Sequence, residues 1–382
     1  MISSKINPHR KAHHSALFNV AIAQQIRGLH EKMPQYRNTP LLSLQNLADH
    51  LGLKHIYVKN EADRLSLGAF KVLGSAYALA RLLSEKLAIP LADFDFEQIA
   101  RDHAQSMVFI TATAGNHGRG VAWIAREMKQ NAVILMPKGS SQASVDKILA
   151  LGAKCHVSDL NYDDTVRLAQ QLAERYQWVL VQDTAWETYQ EIPTWISQGY
   201  MTMADEAIQQ LLYMDLALPS HVMLQAGVGA MAGGVLGYLL DRLENTASAP
   251  LTVMLTEPQQ AACLLHSAQQ PQAIPVAITG ALESIMAGLA CGEVNPVTWP
   301  VLRDGTSIFT AVSDQLTLRG MDLYAHPIAG DPIISSGPSG AVTLGLLDYI
   351  CRAKDNAAMQ LKQDFGLNQD SVVLLFNTEA AL

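Results

Sequence analysis

The stretch VFITATAGNHGRGVAWIAREMKQNAVILMP, residues 108–137, holds two short apolar runs separated by a glycine-rich turn and a helical pattern. The runs at 108–113 and 132–137 are apolar throughout rather than alternating, which is typical of strands covered on both faces. A strand, a helix and a second strand in this order form the repeating unit of a parallel sheet. The stretch therefore predicts an α/β fold.

More apolar, β-rich runs recur along the chain, with helical patterns between them. Their order favours a mostly parallel, doubly wound sheet. At 382 residues the chain is long enough for two domains or for one large α/β body. Open parallel sheets bind ligands where their strands end, so we expect function in the turns after these runs. The further runs are WVLVQD (178–183), HVMLQAG (221–227), LTVMLTEP (251–258) and SVVLLF (371–376).

The composition argues against several classes of protein. With 49% hydrophobic and 16% charged residues, a large core can form. The net charge of −8 and the lack of a dense Lys/Arg tract argue against a nucleic-acid surface. No apolar run approaches the roughly 20 residues that span a bilayer, and the N-terminus lacks the apolar segment of a signal peptide. We therefore expect a cytoplasmic protein without a nucleic-acid or membrane partner.

The cysteines are Cys155, Cys263, Cys291 and Cys351, and none of them forms a C-x-x-C pair. We therefore expect no metal site, and buried thiols are the default in a reducing compartment. Whether Cys263 and Cys291 lie close enough to pair stays open, because a disulfide depends on a geometry that the sequence does not give.

One lysine, Lys71, interrupts the apolar and small-residue stretch SLGAFKVLGSAYALA (66–80). The spacing predicts a helix with a buried face, and Gly68 suits a tight turn at its entry. Lys71 could be a surface residue whose stem packs on apolar groups while its ammonium reaches water. Alternatively, an amine among Phe70 and Leu73 would have its charged form disfavoured, which helps it act as a nucleophile.

The first unusual turn is Ala114-Gly115-Asn116-His117-Gly118, between a strand and a helix. Its glycines permit a sharp turn and the close approach of a ligand. Asn116 offers an amide donor and acceptor there, although a plain N-cap is the alternative role. We interpret His117 as a structural residue.

The second unusual turn is QAGVGAMAGGV (225–235), which also joins a strand to a helix. Successive backbone N–H groups and a helix N-terminus suit a phosphate. No Gly-Lys-Ser/Thr follows, so the turn is not a Walker loop. Close packing of helix and strand is the alternative reason for its glycines. A lysine at a helix start, an asparagine turn and a phosphate-binding turn together suit pyridoxal phosphate, with Lys71 forming the Schiff base.

The segment GAFKVLGSAYA resembles the Schiff-base segment of fold-type II pyridoxal-phosphate enzymes, the group of tryptophan synthase β and threonine dehydratase. The run MPKGSSQASVDKILALGA also resembles that group. A closer resemblance, to the diaminopropionate ammonia-lyase family, rests on TATAGNHGRGVAW, DLNYDD, VQDTAWETYQEIPTWISQGY, QAGVGAMAGGV and IMAGLACGE. These motifs extend from about residue 36 to 379, nearly the whole chain.

This resemblance implies elimination of ammonia from 2,3-diaminopropionate, with pyruvate and a second ammonia as products, by a homodimer. It implies two domains, each an open, twisted, mostly parallel sheet flanked by helices. The larger, cofactor-binding domain would comprise residues 1–75 and 216–382, and a smaller mobile domain residues 76–215. The implied catalytic residues are Lys71 and Asp183, with Asp183 taking the Cα proton. A helix cap is the alternative role for Asp183. The implied cofactor-binding residues are Lys71, Asn116, Gly227, Val228, Gly229, Ala230, Met231 and Thr378.

Several positions depart from the family pattern. The family's second carboxylate, just before Gly-Asn-His-Gly, is Ala114 here. The two enantiomers present their Cα–H bonds to opposite faces of the cofactor, so we expect the D-isomer to be a poor substrate. Acidic residues are also replaced at Ala281 and Pro338. Ala380 stands where the family has a glycine, and the family's chains continue further.

Three functions therefore stay open from the sequence. The first is an ammonia-lyase acting on L-2,3-diaminopropionate. The second is a related dehydratase or β-replacement enzyme, and the third is a cofactor-binding protein with little catalysis. The retained Lys71, Asn116 and Asp183 favour the first, whereas Ala114 and Pro338 favour the other two.

Overall fold

The computed structural model describes residues 2–243 and 250–381 and has the α/β fold that the sequence predicts. Within these residues no helix is long and apolar enough to cross a membrane. The strands are β1 (Ile2–Ile6), β2 (Leu41–Ser43), β3 (His55–Asn60), β4 (Val108–Ala112), β5 (Asn131–Met136), β6 (Lys154–Val157), β7 (Val179–Leu180), β8 (His221–Gln225), β9 (Thr252–Pro258), β10 (Ile308–Val312) and β11 (Val372–Asn377).

The helices alternate with the strands through most of the chain, and short 3₁₀ segments occur at Glu61–Ser66, Leu91–Asp93 and Ala287–Leu289. The α-helices are α1 (Val20–His30), α2 (Gln45–Leu51), α3 (Val72–Leu87), α4 (Phe96–Asp102), α5 (Asn116–Glu127), α6 (Gln142–Leu149), α7 (Tyr162–Tyr176), α8 (Glu191–Gly199), α9 (Met201–Tyr213), α10 (Ala230–Leu243), α11 (Cys263–Gln269), α12 (Trp299–Gly305), α13 (Asp314–Ala325), α14 (Pro338–Arg352) and α15 (Asn356–Phe365).

The chain forms two compact units. The first comprises Met1–Val20, Asn38–Ala69 and Met203–Leu382. Its seven-stranded sheet has the order β1-β10-β9-β8-β11-β3-β2, with parallel inner strands and antiparallel pairing of β1 and β2 at the two edges. The second unit comprises Ala21–Arg37 and Phe70–Thr202 and contains the all-parallel sheet β6-β5-β4-β7.

The division between these units differs from the domain boundaries expected from the sequence. Residues 70–75 lie in the second unit rather than with the larger one, and residues 203–215 lie in the first. The short segment Ala21–Arg37 also joins the second unit. The separate roles expected of the two domains, cofactor binding and mobility, stay predictions.

Each apolar run singled out in the sequence contains a strand, although the run 178–183 contributes only Val179–Leu180. That strand is short because Gln182 and Asp183 do not continue the backbone pairing of β7 with β4. In place of a further backbone pair, the side-chain oxygen of Gln182 accepts hydrogen bonds from Thr111 Oγ1 at 3.0 Å and Ala112 N at 3.1 Å. These bonds hold the end of β7 beside the end of β4, at the carboxyl edge of the second unit's sheet.

A buried group of charged side chains joins β3, the 3₁₀ segment after it and α9 in the first unit. Lys59 Nζ lies 2.5 Å from Glu206 Oε2, and Arg64 bonds both Glu206 and Glu61 at 2.8 Å. All four side chains are fully buried. Two cations and two anions balance one another, which offsets much of the cost of removing them from water.

Candidate active site

Lys71 immediately precedes α3, and its amine lies among aromatic rings. Gly68 has φ of +71°, the left-handed turn expected before this helix. The Nζ atom lies 5.4 Å from the ring centre of Phe70 and 5.7 Å from that of Tyr200, distances typical of cation–π contacts. Only 21% of the side chain is exposed. Lys71 is therefore a largely buried amine rather than a surface lysine.

Asp183 gives this amine an anionic partner. Its Oδ2 accepts a hydrogen bond from Lys71 Nζ at 2.6 Å. Burial alone would raise the pKa of Asp183, but the neighbouring His117 and Lys71 outweigh burial and hold this pKa well below its usual range. The carboxylate is therefore ionised at neutral pH. No helix begins directly after Asp183, since α8 starts only at Glu191, so the alternative role of Asp183 as a helix cap was wrong.

The imidazole of His117 is buried beside Asp183. Its Nε2 lies 2.8 Å from the carbonyl oxygen of Val181, which can only accept, so Nε2 carries the proton. Its Nδ1 lies 3.9 Å from Asp183 Oδ2 and has no hydrogen-bond partner among the described residues. Burial lowers the pKa of His117, and Lys71 is the cation that hydrogen-bonds the carboxylate directly.

Close packing of α3 and α8 places Tyr200 below the amine. A Cβ atom on Gly74 would lie only 2.7 Å from both the carbonyl oxygen of Ile196 and Cε1 of Tyr200. The rings of Phe70 and Tyr200 meet edge to face, with centres 4.7 Å apart. The absence of a side chain at Gly74 therefore lets the aromatic surface under Lys71 form.

Asn116, in the turn at residues 114–118, does not cap the helix that follows it. Gly115 is the residue that precedes α5, and Asn116 is the first residue within the helix, so an N-cap by Asn116 was wrong. The Oδ1 atom of Asn116 accepts a hydrogen bond from Arg119. Ala114 is exposed in the same turn. The turn lies beside Asp183 because β4 and β7 end at the same edge of the sheet.

The glycine-rich turn, residues 227–231, joins β8 to α10 in the first unit. Gly229 has φ of +94°, a backbone conformation that favours glycine. A Cβ atom there would also lie 2.6 Å from Cδ1 of Leu302, so a larger residue would not fit. The first amides of α10 have no carbonyl partner within the helix and suit an anion. The packing alternative holds for Gly233, whose Cβ would lie 2.4 Å from Cβ of Thr298.

Thr378 directly follows β11 and is 3% exposed. Its Oγ1 lies 3.0 Å from Nε2 of Gln225, the last residue of the neighbouring parallel strand β8. The sequence did not single out Gln225. The signal that could have identified it is an amide at the end of an otherwise largely apolar run, immediately before the glycine-rich turn.

Glu257 is a buried carboxyl group beside the same turn. Its two oxygens accept hydrogen bonds from Leu264 N and Leu265 N, each at 2.8 Å. The thiol of Cys263 lies 3.8 Å from the carbonyl oxygen of Gly227. Burial outweighs the two amide hydrogen bonds and raises the pKa of Glu257 to about 8, so the group is largely protonated at neutral pH.

The positions that depart from the family pattern are accommodated without disruption of the fold. Pro338 is the first residue of α14, where a missing N–H is harmless. The next amide, Ser339 N, donates to Glu379 Oε1 at 2.8 Å. Ala281 is exposed and lines an open cavity of about 960 Å³, together with His266 and Glu283.

These residues fit the cofactor expected from the sequence. Pyridoxal phosphate needs an amine for its aldehyde, donors for its phosphate and a polar partner for its ring nitrogen. Lys71 is a buried amine with room at its surface, and the turn at 227–231 has N–H groups with no side chain at Gly229. Thr378 supplies a hydroxyl at the same sheet edge as this turn.

Comparison with known proteins agrees with this chemistry. The family model described as "Pyridoxal-phosphate dependent enzyme" matches residues 32–376. The diaminopropionate ammonia-lyase of Escherichia coli (strain K12) is 48% identical over 365 residues, covering 96% of this chain and 90% of that protein. The crystal structure of the selenomethionine-labelled holo enzyme from Escherichia coli superposes with a TM-score of 0.93 and 46% identity, covering 100% of this chain and 94% of that one. Its complex with an aminoacrylate-PLP azomethine reaction intermediate has a TM-score of 0.90, with the same identity and coverage.

The two mostly parallel sheets, the buried lysine and the glycine-rich turn are those of a fold-type II pyridoxal-phosphate dependent enzyme, and pyridoxal 5′-phosphate is the cofactor. Within that class the chain belongs to the diaminopropionate ammonia-lyase family, whose members are carbon–nitrogen lyases. The identity with the Escherichia coli enzyme extends over nearly the whole length of both chains. The sequence-based expectations of the enzyme class and of its cofactor are therefore confirmed.

Proposed function

We propose that the protein eliminates ammonia from L-2,3-diaminopropionate and releases pyruvate and a second molecule of ammonia. The observation that carries the proposal is the 2.6 Å contact between Lys71 Nζ and Asp183 Oδ2. It puts a nucleophilic amine and an ionised carboxylate side by side in the second unit. The Escherichia coli relative, named for this reaction, supports the choice of substrate.

Bound pyridoxal phosphate supplies an electron sink for the charge that develops at the substrate Cα atom. In our proposal Lys71 holds the cofactor through its aldehyde carbon and yields that position to the substrate amine. Asn116 donates a hydrogen bond to the phenolic oxygen, and the amides of residues 227–231 hold the phosphate. The Thr378 hydroxyl bonds the ring nitrogen.

Asp183 is the proposed base. It accepts the proton from Cα, and the β-amine, protonated as an ammonium group, then leaves as neutral ammonia with the electron pair of its bond to carbon. The released fragment takes up water to give pyruvate and the second ammonia. In the ion pair with Lys71 the carboxylate is a weak base, because the cation holds its pKa low. The substrate amine releases Lys71 from the cofactor as a neutral amine, which no longer stabilises the carboxylate, so Asp183 is then a stronger base.

Selectivity for the L-isomer follows from Ala114. The methyl side chain of Ala114 cannot accept a proton. The turn after β4 that carries Ala114 therefore provides no second carboxylate. The D-isomer presents its Cα–H bond away from Asp183 and lacks a base on its side. We therefore propose slow turnover of D-2,3-diaminopropionate.

Several expectations stay predictions alongside this proposal. The homodimer rests on the family resemblance, and the cytoplasmic location rests on the sequence. A dehydratase or a β-replacement enzyme is the second candidate function, favoured by Ala114 and Pro338 in place of acidic residues. The test therefore includes L-serine and L-threonine as competing substrates.

The experiment measures pyruvate and ammonia released by the purified, cofactor-loaded protein from each isomer of 2,3-diaminopropionate, offered separately. We expect two ammonia molecules for each pyruvate from the L-isomer. The D-isomer should react slower by about 10²–10⁴-fold, the usual effect of a missing acid–base group. The Lys71→Ala variant should lose both turnover and the visible absorbance of the lysine–cofactor imine.

Equal turnover of the two isomers would contradict the selectivity. Faster turnover of L-serine or L-threonine than of L-2,3-diaminopropionate would replace the proposed substrate by a hydroxy amino acid. Retention of the imine absorbance in Lys71→Ala would show that another lysine binds the cofactor.

A further inference from the structure

His117 has one bonded ring nitrogen and one without a partner. Its Nε2 donates to the carbonyl oxygen of Val181 at 2.8 Å, which places the lone pair of the neutral ring at Nδ1. Nδ1 has no hydrogen-bond partner among the described residues, although only 3% of the side chain is exposed. Buried polar atoms are normally hydrogen-bonded. This nitrogen therefore points to another protonation state of the site, in which it has a donor.

Asp183 is the group that faces this nitrogen in the second unit. Its Oδ2 lies 3.9 Å from Nδ1 and accepts a hydrogen bond from Lys71 Nζ at 2.6 Å. An ionised carboxylate and an imidazole lone pair are both acceptors, so they stay beyond hydrogen-bond distance of each other. One proton between Oδ2 and Nδ1 would turn the contact into a hydrogen bond, which requires the two atoms to approach by about 1 Å.

The charges around His117 decide when such a proton is bound. Burial lowers the pKa of the imidazole, Asp183 raises it and Lys71 lowers it. While Lys71 is an ammonium, its charge balances the carboxylate and disfavours a second cation beside it. When Lys71 is a neutral amine, the carboxylate and the imidazole together carry one uncompensated negative charge. Uptake of one proton restores the balance.

We propose that His117 shares the proton that Asp183 takes from the substrate, with Nδ1 as the second acceptor. This inference rests on the proposed function, in which Asp183 is the base. The Cα–H bond breaks, its electron pair stays on carbon, and the proton bonds to Asp183. It then lies in the hydrogen bond between Oδ2 and Nδ1 and passes to solvent after the product has left. His117 is thus a positioning residue that acts through Asp183 and speeds proton transfer by stabilising the proton once it has been taken.

Two variants separate this role from support of the backbone at Val181. His117→Gln keeps an N–H donor at the position of Nε2 but has no nitrogen base at that of Nδ1. His117→Asn places an acceptor oxygen near the position of Nδ1 and is too short to reach Val181. Proton sharing predicts that His117→Gln lowers kcat for L-2,3-diaminopropionate by roughly 10–100-fold, the effect of one hydrogen bond to a charged group, and that His117→Asn lowers it less. The reverse order, or wild-type kcat in His117→Gln, would overturn the proposal.

Substrate deuterated at Cα distinguishes proton transfer from binding. In His117→Gln the isotope effect on kcat should rise, because proton transfer then limits turnover more strongly. KM should stay near its wild-type value, since the imidazole acts through Asp183 rather than on the substrate. A raised KM with an unchanged isotope effect would overturn the proposal and assign His117 to substrate binding.

Nitrogen NMR of the full-length, cofactor-loaded protein labelled with ¹⁵N-histidine tests the shared proton without turnover. The His117 resonances are identified by their absence in His117→Gln. In the wild type Nδ1 should resonate as an unprotonated nitrogen at pH 8. Lys71→Met removes the cation, so in this variant, incubated with pyridoxal phosphate, Nδ1 should take up its proton at a pH about 1–3 units higher. Identical titrations in the two proteins would overturn the proposal.

Asp183→Asn separates failure of this inference from failure of the proposed function. If Asp183→Asn keeps wild-type turnover, Asp183 is not the base, and both fail. If Asp183→Asn loses turnover while His117→Gln keeps the wild-type kcat and isotope effect, only the role of His117 fails. If the wild type does not release pyruvate from L-2,3-diaminopropionate, the proposed function fails, and the NMR titrations still decide whether Asp183 and His117 share a proton.

Discussion

The Nζ atom of Lys71 and the Oδ2 atom of Asp183 lie 2.6 Å apart, with the two residues 112 positions apart in the sequence. The contact couples the amine proposed to bind the cofactor to the carboxylate proposed as base. While the amine is an ammonium in this pair, it stabilises the carboxylate and weakens it as a proton acceptor. If the substrate amine releases Lys71 as a neutral amine, as proposed, this stabilisation is lost and Asp183 becomes a stronger base.

Asp183→Asn tests the base without a change in size. We expect turnover of L-2,3-diaminopropionate to fall by about 10²–10⁴-fold, because an amide cannot take the Cα proton. Cofactor absorbance should remain, since Lys71 is untouched. Asp146→Asn, at an exposed position on α6, is the matched control and should keep wild-type turnover. Unchanged turnover in Asp183→Asn would exclude it as the base.

Ala114→Asp should create activity toward the D-isomer. The Ala114 side chain is exposed, so a carboxylate can be added there without burial of a charge. We expect D-2,3-diaminopropionate turnover to rise at least tenfold, because a second base becomes available. Ala114→Asn introduces the same volume without a base and should not raise it. An equal gain in both variants would point to shape rather than proton transfer.

Glu257→Gln should change how stability depends on pH. The pKa of Glu257 is raised from the ordinary 4.5 to about 8 in the folded protein. At a pH between these two values, the folded protein keeps a proton that the unfolded chain has lost. The free energy of unfolding therefore falls as pH rises from about 4.5 to 8, by up to about 1.4 kcal/mol per unit.

Glutamine cannot ionise, so the variant should lack this contribution. It presents an NH₂ group to one of the amides of Leu264 and Leu265, which costs about 1–3 kcal/mol at pH 5. The difference from wild type should shrink as pH rises and reverse by about pH 8, because the wild type alone loses up to about 1.4 kcal/mol per unit. Urea unfolding of the apoprotein from pH 5 to 9 measures both slopes, with the exposed Glu174→Gln as control. Parallel pH curves for wild type and Glu257→Gln would show that Glu257 ionises normally.

Gly74→Ala should disturb the aromatic surface under Lys71. The new methyl would lie 2.7 Å from Tyr200 and from the backbone of Ile196, so α3 and α8 must separate. We expect a loss of about 1–3 kcal/mol in the free energy of unfolding and weaker cofactor binding. Gly28→Ala, on α1 with open space around it, should be neutral or stabilising by up to about 1 kcal/mol. Equal stability of both variants would contradict the tight crossing.

Arg64→Met should be strongly destabilising, because it removes a buried cation that bonds both Glu61 and Glu206. Removing one partner of a buried ion pair typically costs about 3–5 kcal/mol. Arg167→Met removes the cation of an exposed pair with Asp164 and should change stability by less than about 1 kcal/mol. Thermal unfolding monitored by circular dichroism compares the two. A similar small change in both would show that the buried network contributes little.

Local periodicity predicted the main strands well, because buried parallel strands are continuously apolar and therefore visible in one sequence. It missed β1, β2 and β6, which lie at sheet edges, and β3, which carries the polar residues Lys59 and Asn60. It also missed β10, an apolar inner strand that the same pattern should have revealed. The charges within β3 are compatible with burial only because Glu206, far along the chain, returns to neutralise them. No local pattern contains that information.

The sequence by itself determined the α/β class, the family, the cofactor and the lysine that should hold it, because these depend on strand runs and motifs that are continuous in the chain. Only the tertiary structure decided which residues of these motifs contact one another. The pairing of Lys71 with Asp183, the tautomer of His117 and the hydrogen bond from Gln225 to Thr378 all depend on contacts across 64 to 153 residues. Hydrogen bonds and ion pairs act over a few ångströms of space, whatever the separation along the chain, so their geometry appears only when the strands are brought together.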